Sequence, residues 1–128
     1  MIYLDTSVAL AQLLGETRRP PESLWSNALV SSRLLQYELW TRLHARNLGT
    51  SHGEVARELL GMLALVELTP AVLERALEPF PISVRTLDAL HLATIVFLRN
   101  QGQSVQLATF DERLGSAAAA LGIQEWAA

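Results

Sequence analysis

Short apolar segments alternate with segments of helical periodicity along the whole chain, and this alternation restricts the fold more than any other feature. The segments that resemble buried strands are residues 2–4, 27–32, 64–69 and 105–110. Between them lie stretches such as the one with apolar residues at 35, 39 and 43, a helical spacing. Strands that alternate with helices through mostly short connections predict a parallel sheet with helices on both faces. We therefore place the chain in the α/β class.

Local signals predict where several of these elements begin. Ser51, with Glu54 three residues later, has the pattern of a capping box at the start of a helix. Thr86 is placed to cap a long helix, and Asp111 is placed to cap the helix after the fourth strand segment. Residues 123–126 are expected to form a last short strand.

Bulk composition limits the classes of function. A length of 128 residues fits one compact domain, so we expect residues 1–128 to form a single domain. The absence of cysteine excludes disulfides and thiolate metal sites. No apolar segment is long enough for a membrane span, which makes a cytoplasmic protein without a membrane partner the expectation. A net charge of −3 argues against gripping nucleic acid by charge alone, and the absence of lysine excludes any mechanism that needs one.

The chain has thirteen acidic residues but only three aspartates, and each aspartate follows an apolar residue. Asp5 and Asp111 come at the carboxyl ends of the first and fourth strand segments, and Asp88 lies in the first turn of the long helix. In an open α/β sheet, these positions share the edge where ligands bind. Glu38 lies in the first turns of the helix after the second strand segment, and we expect it to reach the same edge.

Four carboxylates at one edge repel each other, and burial raises the pKa of each. Such a cluster is stable at neutral pH mainly when a cation neutralises it. Oxygen ligands without cysteine select hard ions, Mg²⁺ or Mn²⁺. Such ions can activate water for phosphodiester hydrolysis. The four acids are therefore compatible with metal-dependent hydrolysis of a phosphodiester.

Each acid also has a purely structural interpretation. Asp5 and Asp111 can cap the helices that follow them, and Asp88 can favour the positive end of its helix dipole. Glu38 can pair with Arg42 one turn later on the helix. Capping and metal binding are compatible, so the functional hypothesis depends on the four acids together.

Four segments, in order, resemble a PIN domain, and in particular a VapC-type toxin ribonuclease: IYLDTSVAL, QYELWTRL, TLDALHLAT and LATFDERL. The resemblance implies a Rossmann-like α/β/α sandwich with a central parallel sheet. It implies a Mg²⁺-dependent endoribonuclease, with Mn²⁺ able to substitute, that acts on RNA. It also implies a VapB-like antitoxin as partner and a homodimer, which the apolar composition also favours.

The resemblance assigns roles to individual residues. Its four metal-binding and catalytic acids fall on Asp5, Glu38, Asp88 and Asp111. Its small hydroxyl residues, which orient water or carboxylates, fall on Thr6, Ser7 and Thr109. Glu112 neighbours the fourth acid and is a candidate to share its role. His91 is not a ligand in this family, and we expect a buried, hydrogen-bonded structural histidine.

Other interpretations are weaker or stay open. A haloacid-dehalogenase-type phosphatase needs a second aspartate at position 7, where this chain has serine. A response-regulator receiver needs a lysine. A degenerate PIN-like module that only binds protein or RNA stays an alternative, although the presence of all four acids argues against it. A DNA-directed nuclease of the same general fold is compatible with the residues, but such enzymes usually carry more acids and larger insertions.

Overall fold

The computed structural model describes residues 1–128, which form four strands and six α-helices. The strands are β1 (Ile2–Leu4), β2 (Leu29–Ser32), β3 (Leu63–Val66) and β4 (Gln106–Ala108). The helices are α1 (Thr6–Leu14), α2 (Arg33–Ala45), α3 (Gly49–Gly61), α4 (Pro70–Leu77), α5 (Thr86–Asn100) and α6 (Glu112–Ala120). A single turn of 3-10 helix at Glu22–Ser26 precedes β2. None of the helices combines the length and hydropathy that crossing a bilayer requires.

All four strands are parallel, in the order β3-β2-β1-β4. The chain moves from β1 outward through β2 to β3, and then crosses to the other side of β1 to form β4. The direction of winding thus reverses between β1 and β4. In open parallel sheets, the crevice beyond the carboxyl ends of the strands at such a reversal is the usual ligand site.

Alternate residues of β1 face opposite sides of the sheet and enter two different cores. Ile2 and Leu4 pack in a core that also contains side chains from α1, α2 and α3. Tyr3 packs in a second core with side chains from α5 and α6. Leu29 and Val30 of β2 divide between the two cores in the same way. The sheet is therefore buried on both faces, which confirms the expected α/β/α sandwich.

The predicted cap at Ser51 is wrong. Helix α3 already begins at Gly49, with Leu48 at its N-cap position, so Ser51 lies inside the first turn. Its hydroxyl donates instead to the Leu48 carbonyl at 3.4 Å. The predicted capping box with Glu54 is consequently absent.

Two further boundaries differ from the prediction. Thr86 is the first residue of α5, and the N-cap position belongs to Arg85, whose side chain caps no backbone N–H. Residues 123–126 do not form a full strand, because only one bridge, between Leu107 and Glu125, extends the sheet there.

Candidate metal and active site

Asp5 comes directly after β1 and is almost fully buried, with 6% of its surface exposed. Its Oδ2 accepts hydrogen bonds from the Ser7 hydroxyl at 2.6 Å and from the Thr109 hydroxyl at 2.8 Å. The residue occupies the N-cap position of α1, but its side chain caps no backbone N–H. The helix-capping interpretation of Asp5 is therefore wrong, and its carboxylate is oriented by two hydroxyl groups.

Those two hydroxyl groups also join the ends of β1 and β4. The Ser7 Oγ accepts a hydrogen bond from the Phe110 backbone N–H at 3.0 Å. The Thr109 Oγ1 accepts one from the Asp111 backbone N–H at 2.9 Å. Each hydroxyl thus donates to Asp5 and accepts from the loop after β4. This network fixes the position of the buried carboxylate relative to the start of α6.

Glu38 projects from α2 towards the N-terminus of α1 and the first turns of α5. Its Oε1 accepts from the Thr6 hydroxyl at 2.9 Å and lies 2.6 Å from His91 Nε2. The other ring nitrogen, Nδ1, lies 2.6 Å from the Tyr3 hydroxyl oxygen. Glu38 makes no ion pair with Arg42, so the surface-pair interpretation is wrong. His91 is buried and hydrogen-bonded, as the sequence predicted.

Asp88 and Asp111 lie on either side of Arg85. The Arg85 Nε is 3.6 Å from Asp88 Oδ2, and its Nη2 is 3.7 Å from Asp111 Oδ2. Burial raises the pKa of the Asp88 carboxyl, the carboxylates of Asp111 and Asp5 raise it further, and Arg85 opposes them. Burial and the two neighbouring carboxylates together therefore outweigh the attraction of Arg85.

Asp111 has the structural role that the sequence suggested. Its Oδ1 accepts hydrogen bonds from the backbone N–H groups of Arg113 and Leu114, which caps α6. Its Oδ2 is directed to Arg85 and not to the helix. One carboxylate oxygen therefore caps the helix while the other stays available to the site.

These side chains line one cleft of about 740 Å³ at the carboxyl ends of β1 and β4. Its polar and charged lining residues are Asp5, Thr6, Ser7, Tyr37, Glu38, Thr41, Arg42, Arg85, Thr86, Asp88, His91 and Asp111. All four predicted acids are among them, with two of the three predicted hydroxyl residues. Thr109 contributes through Asp5, and Glu112 is exposed outside the cleft.

As the side chains stand, no three of the carboxylate and histidine groups come close enough to share one metal ion. The donor set nevertheless fits a hard divalent cation by its chemistry. Every candidate ligand is a carboxylate oxygen, and burial together with the neighbouring carboxylates raises the pKa of Asp88, an unfavourable charge that a bound cation would offset. Arg85 supplies part of that positive charge here.

One contact had no signal in the sequence. Tyr3 has the character of an ordinary apolar strand residue, and nothing in the sequence near it indicates a hydrogen bond to His91, 88 residues away. Only the parallel sheet and the helix α5 that covers it bring the two side chains together.

Comparison with known proteins agrees with this arrangement. The family model described as PIN domain matches residues 2–120. The chain is 32% identical to Ribonuclease VapC47 of Mycobacterium tuberculosis (strain CDC 1551 / Oshkosh) over 95% of this chain and 93% of that protein. It is 35% identical to Ribonuclease VapC46 of Mycobacterium tuberculosis (strain ATCC 25618 / H37Rv), with the same coverage. The fold, the acidic cleft and these matches establish that the chain belongs to the PIN domain family.

Proposed function

We propose that this protein is a metal-dependent endoribonuclease of the VapC type, the toxin of a toxin–antitoxin pair. The observation that carries the proposal is the convergence of Asp5, Glu38, Asp88 and Asp111 on one cleft. Two relatives of nearly the same length, both named as ribonucleases, support it. The family match over residues 2–120 also supports a single PIN domain.

The four acids are the proposed ligands of Mg²⁺, with Mn²⁺ able to substitute. When bound, such an ion supplies Lewis acidity to the phosphate and makes water a stronger nucleophile. The protein's own contribution is orientation. Ser7 and Thr109 hold one oxygen of Asp5, and its Oδ1 accepts no hydrogen bond from the protein.

Basic residues at the rim of the cleft are the proposed contacts to the RNA backbone. Arg42 and Arg85 both line the cleft. A guanidinium group can donate two parallel hydrogen bonds to a phosphate, so these two side chains are suited to position a phosphodiester beside the acids. Arg85 already lies beside two of the acids and would orient the phosphate closest to them.

The test is cleavage of a pool of transfer and ribosomal RNA by the purified protein. Reactions with Mg²⁺, with Mn²⁺ and with chelator are compared for the wild type, Asp5→Asn and Asp88→Asn. The matched control is Glu58→Gln, an exposed carboxylate on α3 that makes no hydrogen bond or ion pair. Loss of a ligand is expected to reduce cleavage by about 100-fold or more, since even outer residues of metal sites contribute 10–100-fold.

Discrete fragments that need metal and disappear in both aspartate variants support the proposal. Equal cleavage by Asp5→Asn and the wild type would falsify it. Mn²⁺ binding without cleavage of any RNA in the pool favours the alternative, a catalytically weak PIN-like module that binds protein or RNA.

A VapB-like antitoxin and a second copy of the chain are the proposed protein partners. Apolar side chains at the end of α4 and before α5 support a covered surface there: Leu73, Leu77 and Ile82 are 41%, 86% and 44% exposed. Contiguous exposed apolar surface of this kind marks interaction sites. Light scattering on the isolated protein measures its mass and thereby tests the homodimer. A cytoplasmic location of the protein stays a prediction.

A further inference from the structure

A chain of hydrogen bonds runs from the middle of the sheet to the cleft. It begins at the Tyr3 hydroxyl, which lies 2.6 Å from His91 Nδ1. It continues from His91 Nε2 to Glu38 Oε1, again at 2.6 Å. Tyr3 is fully buried and His91 is 1% exposed, so solvent does not compete for these bonds. Three elements that are distant in sequence, β1, α5 and α2, each contribute one member.

The direction of the hydrogen bonds follows from the phenol. A phenol carries a hydrogen that it can donate, and His91 Nδ1, 2.6 Å from the Tyr3 oxygen, accepts it when that nitrogen carries no hydrogen of its own. Tyr3 therefore donates to Nδ1 of His91, and a neutral ring then carries its hydrogen on Nε2, facing Glu38.

A ring with its hydrogen on Nε2 holds one oxygen of the carboxylate. In this tautomer Glu38 Oε1 accepts from His91 Nε2 at 2.6 Å, and it also accepts from the Thr6 hydroxyl at 2.9 Å. Oε2 accepts no hydrogen bond from the protein, and the side chain lines the cleft with 22% of its surface exposed. Oε1 of Glu38 is therefore fixed by hydrogen bonds, whereas Oε2 is available to a ligand in the cleft.

We infer that Tyr3 and His91 are positioning residues for Glu38: the Tyr3 hydroxyl selects the histidine tautomer that donates to Oε1, and this directs Oε2 into the cleft. The inference rests on the proposed function, because it assigns a purpose to orienting a carboxylate that we propose as a metal ligand. It goes beyond that proposal in naming two residues that touch neither metal nor RNA.

A purely structural role explains the arrangement less well. Burying a tyrosine hydroxyl and an imidazole costs free energy unless both are hydrogen-bonded, and two apolar side chains fill a core without that requirement. Here the hydrogen bonds of the two groups end on a partly exposed carboxylate. Without the Tyr3 hydroxyl, the imidazole is free to carry its hydrogen on Nδ1. Nε2 would then face the Glu38 carboxylate as a second acceptor and repel it.

The test compares Tyr3→Phe with Ile95→Val. Tyr3→Phe removes only the hydroxyl and keeps the ring in its core. Ile95→Val removes one buried methyl group from the same core, one turn after His91 on α5, and changes no side-chain hydrogen bond. Nitrogen-15 NMR of the histidine side chains reports the tautomer of His91. Calorimetric titration with Mn²⁺ reports the affinity of the site.

In the wild type we expect the ring hydrogen of His91 on Nε2 and none on Nδ1. In Tyr3→Phe we expect this signature to be lost and the Mn²⁺ dissociation constant to rise about 10-fold, the usual effect of an outer partner of a metal ligand. Ile95→Val should keep both the signature and the affinity although it lowers the melting temperature.

A second pair of variants keeps the inference testable if Tyr3→Phe does not fold. His91→Gln keeps an N–H donor towards Glu38, whereas His91→Leu removes it. We expect His91→Gln to retain more of the Mn²⁺ affinity than His91→Leu does. Equal losses in the two variants contradict a positioning role.

Two results overturn the inference while leaving the proposed function intact. One is a wild-type His91 with its hydrogen on Nδ1. The other is a Tyr3→Phe protein that binds Mn²⁺ as tightly as the wild type does. If the wild type neither binds Mn²⁺ nor cleaves RNA, the proposed function itself fails, and this is seen without any variant.

Discussion

Replacing Asp88 with asparagine should stabilise the metal-free protein and abolish its metal-dependent activity. Asp88 lies in the first turn of α5, where burial raises its pKa and the carboxylates of Asp111 and Asp5 add to the effect. Asparagine has almost the same shape and no charge. The variant therefore removes the repulsion and the desolvation of the charge but keeps the packing.

The magnitude follows from the balance of charges around the side chain. The opposing attraction comes from Arg85, which is 3.6 Å away but 63% exposed. Exposed pairs of this kind contribute about 0.2–1 kcal/mol. Because the net direction of the pKa is upward, repulsion and desolvation exceed that attraction. Asp88 is itself partly exposed, so we expect a net gain of only about 0.5 kcal/mol, or about 2 °C in melting temperature for a chain of this size.

The gain should depend on pH with a definite sign. The folded protein binds the Asp88 proton more tightly than the unfolded chain does, because the folded-state pKa lies above the ordinary value of 3.8. The ionised Asp88 carboxylate therefore lowers the free energy of unfolding by its full amount above the folded-state pKa, and it has no such effect at pH values below 3.8. The advantage of Asp88→Asn should be full at neutral pH and should vanish as the pH falls through this interval.

Thermal unfolding followed by circular dichroism in the presence of chelator measures the effect, with Glu58→Gln as the control for removing an isolated surface charge. Adding Mn²⁺ should raise the melting temperature of the wild type and have much less effect on Asp88→Asn. The reasoning is refuted if Asp88→Asn melts below the wild type at neutral pH, or if its advantage is the same at every pH.

Three further variants, at Arg85 and Asp111, examine the charges at the rim of the cleft. Arg85→Gln removes a cation that competes with a metal ion for Asp88 and Asp111. Calorimetry should therefore show tighter Mn²⁺ binding, whereas the KM for RNA should rise. Unchanged values for both would contradict a role for Arg85. Asp111→Asn keeps an oxygen that can cap α6, so its melting temperature should stay near that of the wild type although cleavage is lost. Asp111→Ala should lose about 1 kcal/mol of stability as well, because it removes the cap.

The layout of the fold could be predicted because it depends on local patterns. Strands buried on both faces of a parallel sheet appear as short apolar runs, and four of the five predicted runs overlap a strand, although β3 begins one residue before the predicted run 64–69. The fifth predicted strand, 123–126, forms only a single bridge. The caps were less predictable. Leu48 donates its backbone N–H to the Leu43 carbonyl at the end of α2, and the chain then enters α3 at once, before Ser51. The start of α3 therefore depends on how the chain leaves α2, and the residue types at 48–54 do not reveal that.

In the candidate site, the positions of the aspartates could be predicted from the sequence, but their hydrogen-bond partners could not. Asp5, Asp88 and Asp111 could be placed at one edge, because that edge follows from strand direction and helix polarity. Their partners could not be placed, because they depend on which elements are neighbours. The bond from Thr109 to Asp5 spans 104 residues and exists because β4 pairs with β1 in register. The bond from Tyr3 to His91 exists because α5 covers the face of β1 that Tyr3 occupies.

The identity of the groups that hold the acids explains why the cleft should require a cation before RNA. Asp5 is held by two hydroxyl groups, and Glu38 by a hydroxyl group and, in the proposed tautomer, a neutral imidazole. Neutral donors orient a carboxylate without cancelling its charge. Arg85 is the one basic residue within ion-pair distance of the site's aspartates, and it lies at the exposed rim. We therefore expect the floor of the cleft to stay negative, and to repel a phosphodiester unless a divalent cation reverses the local charge.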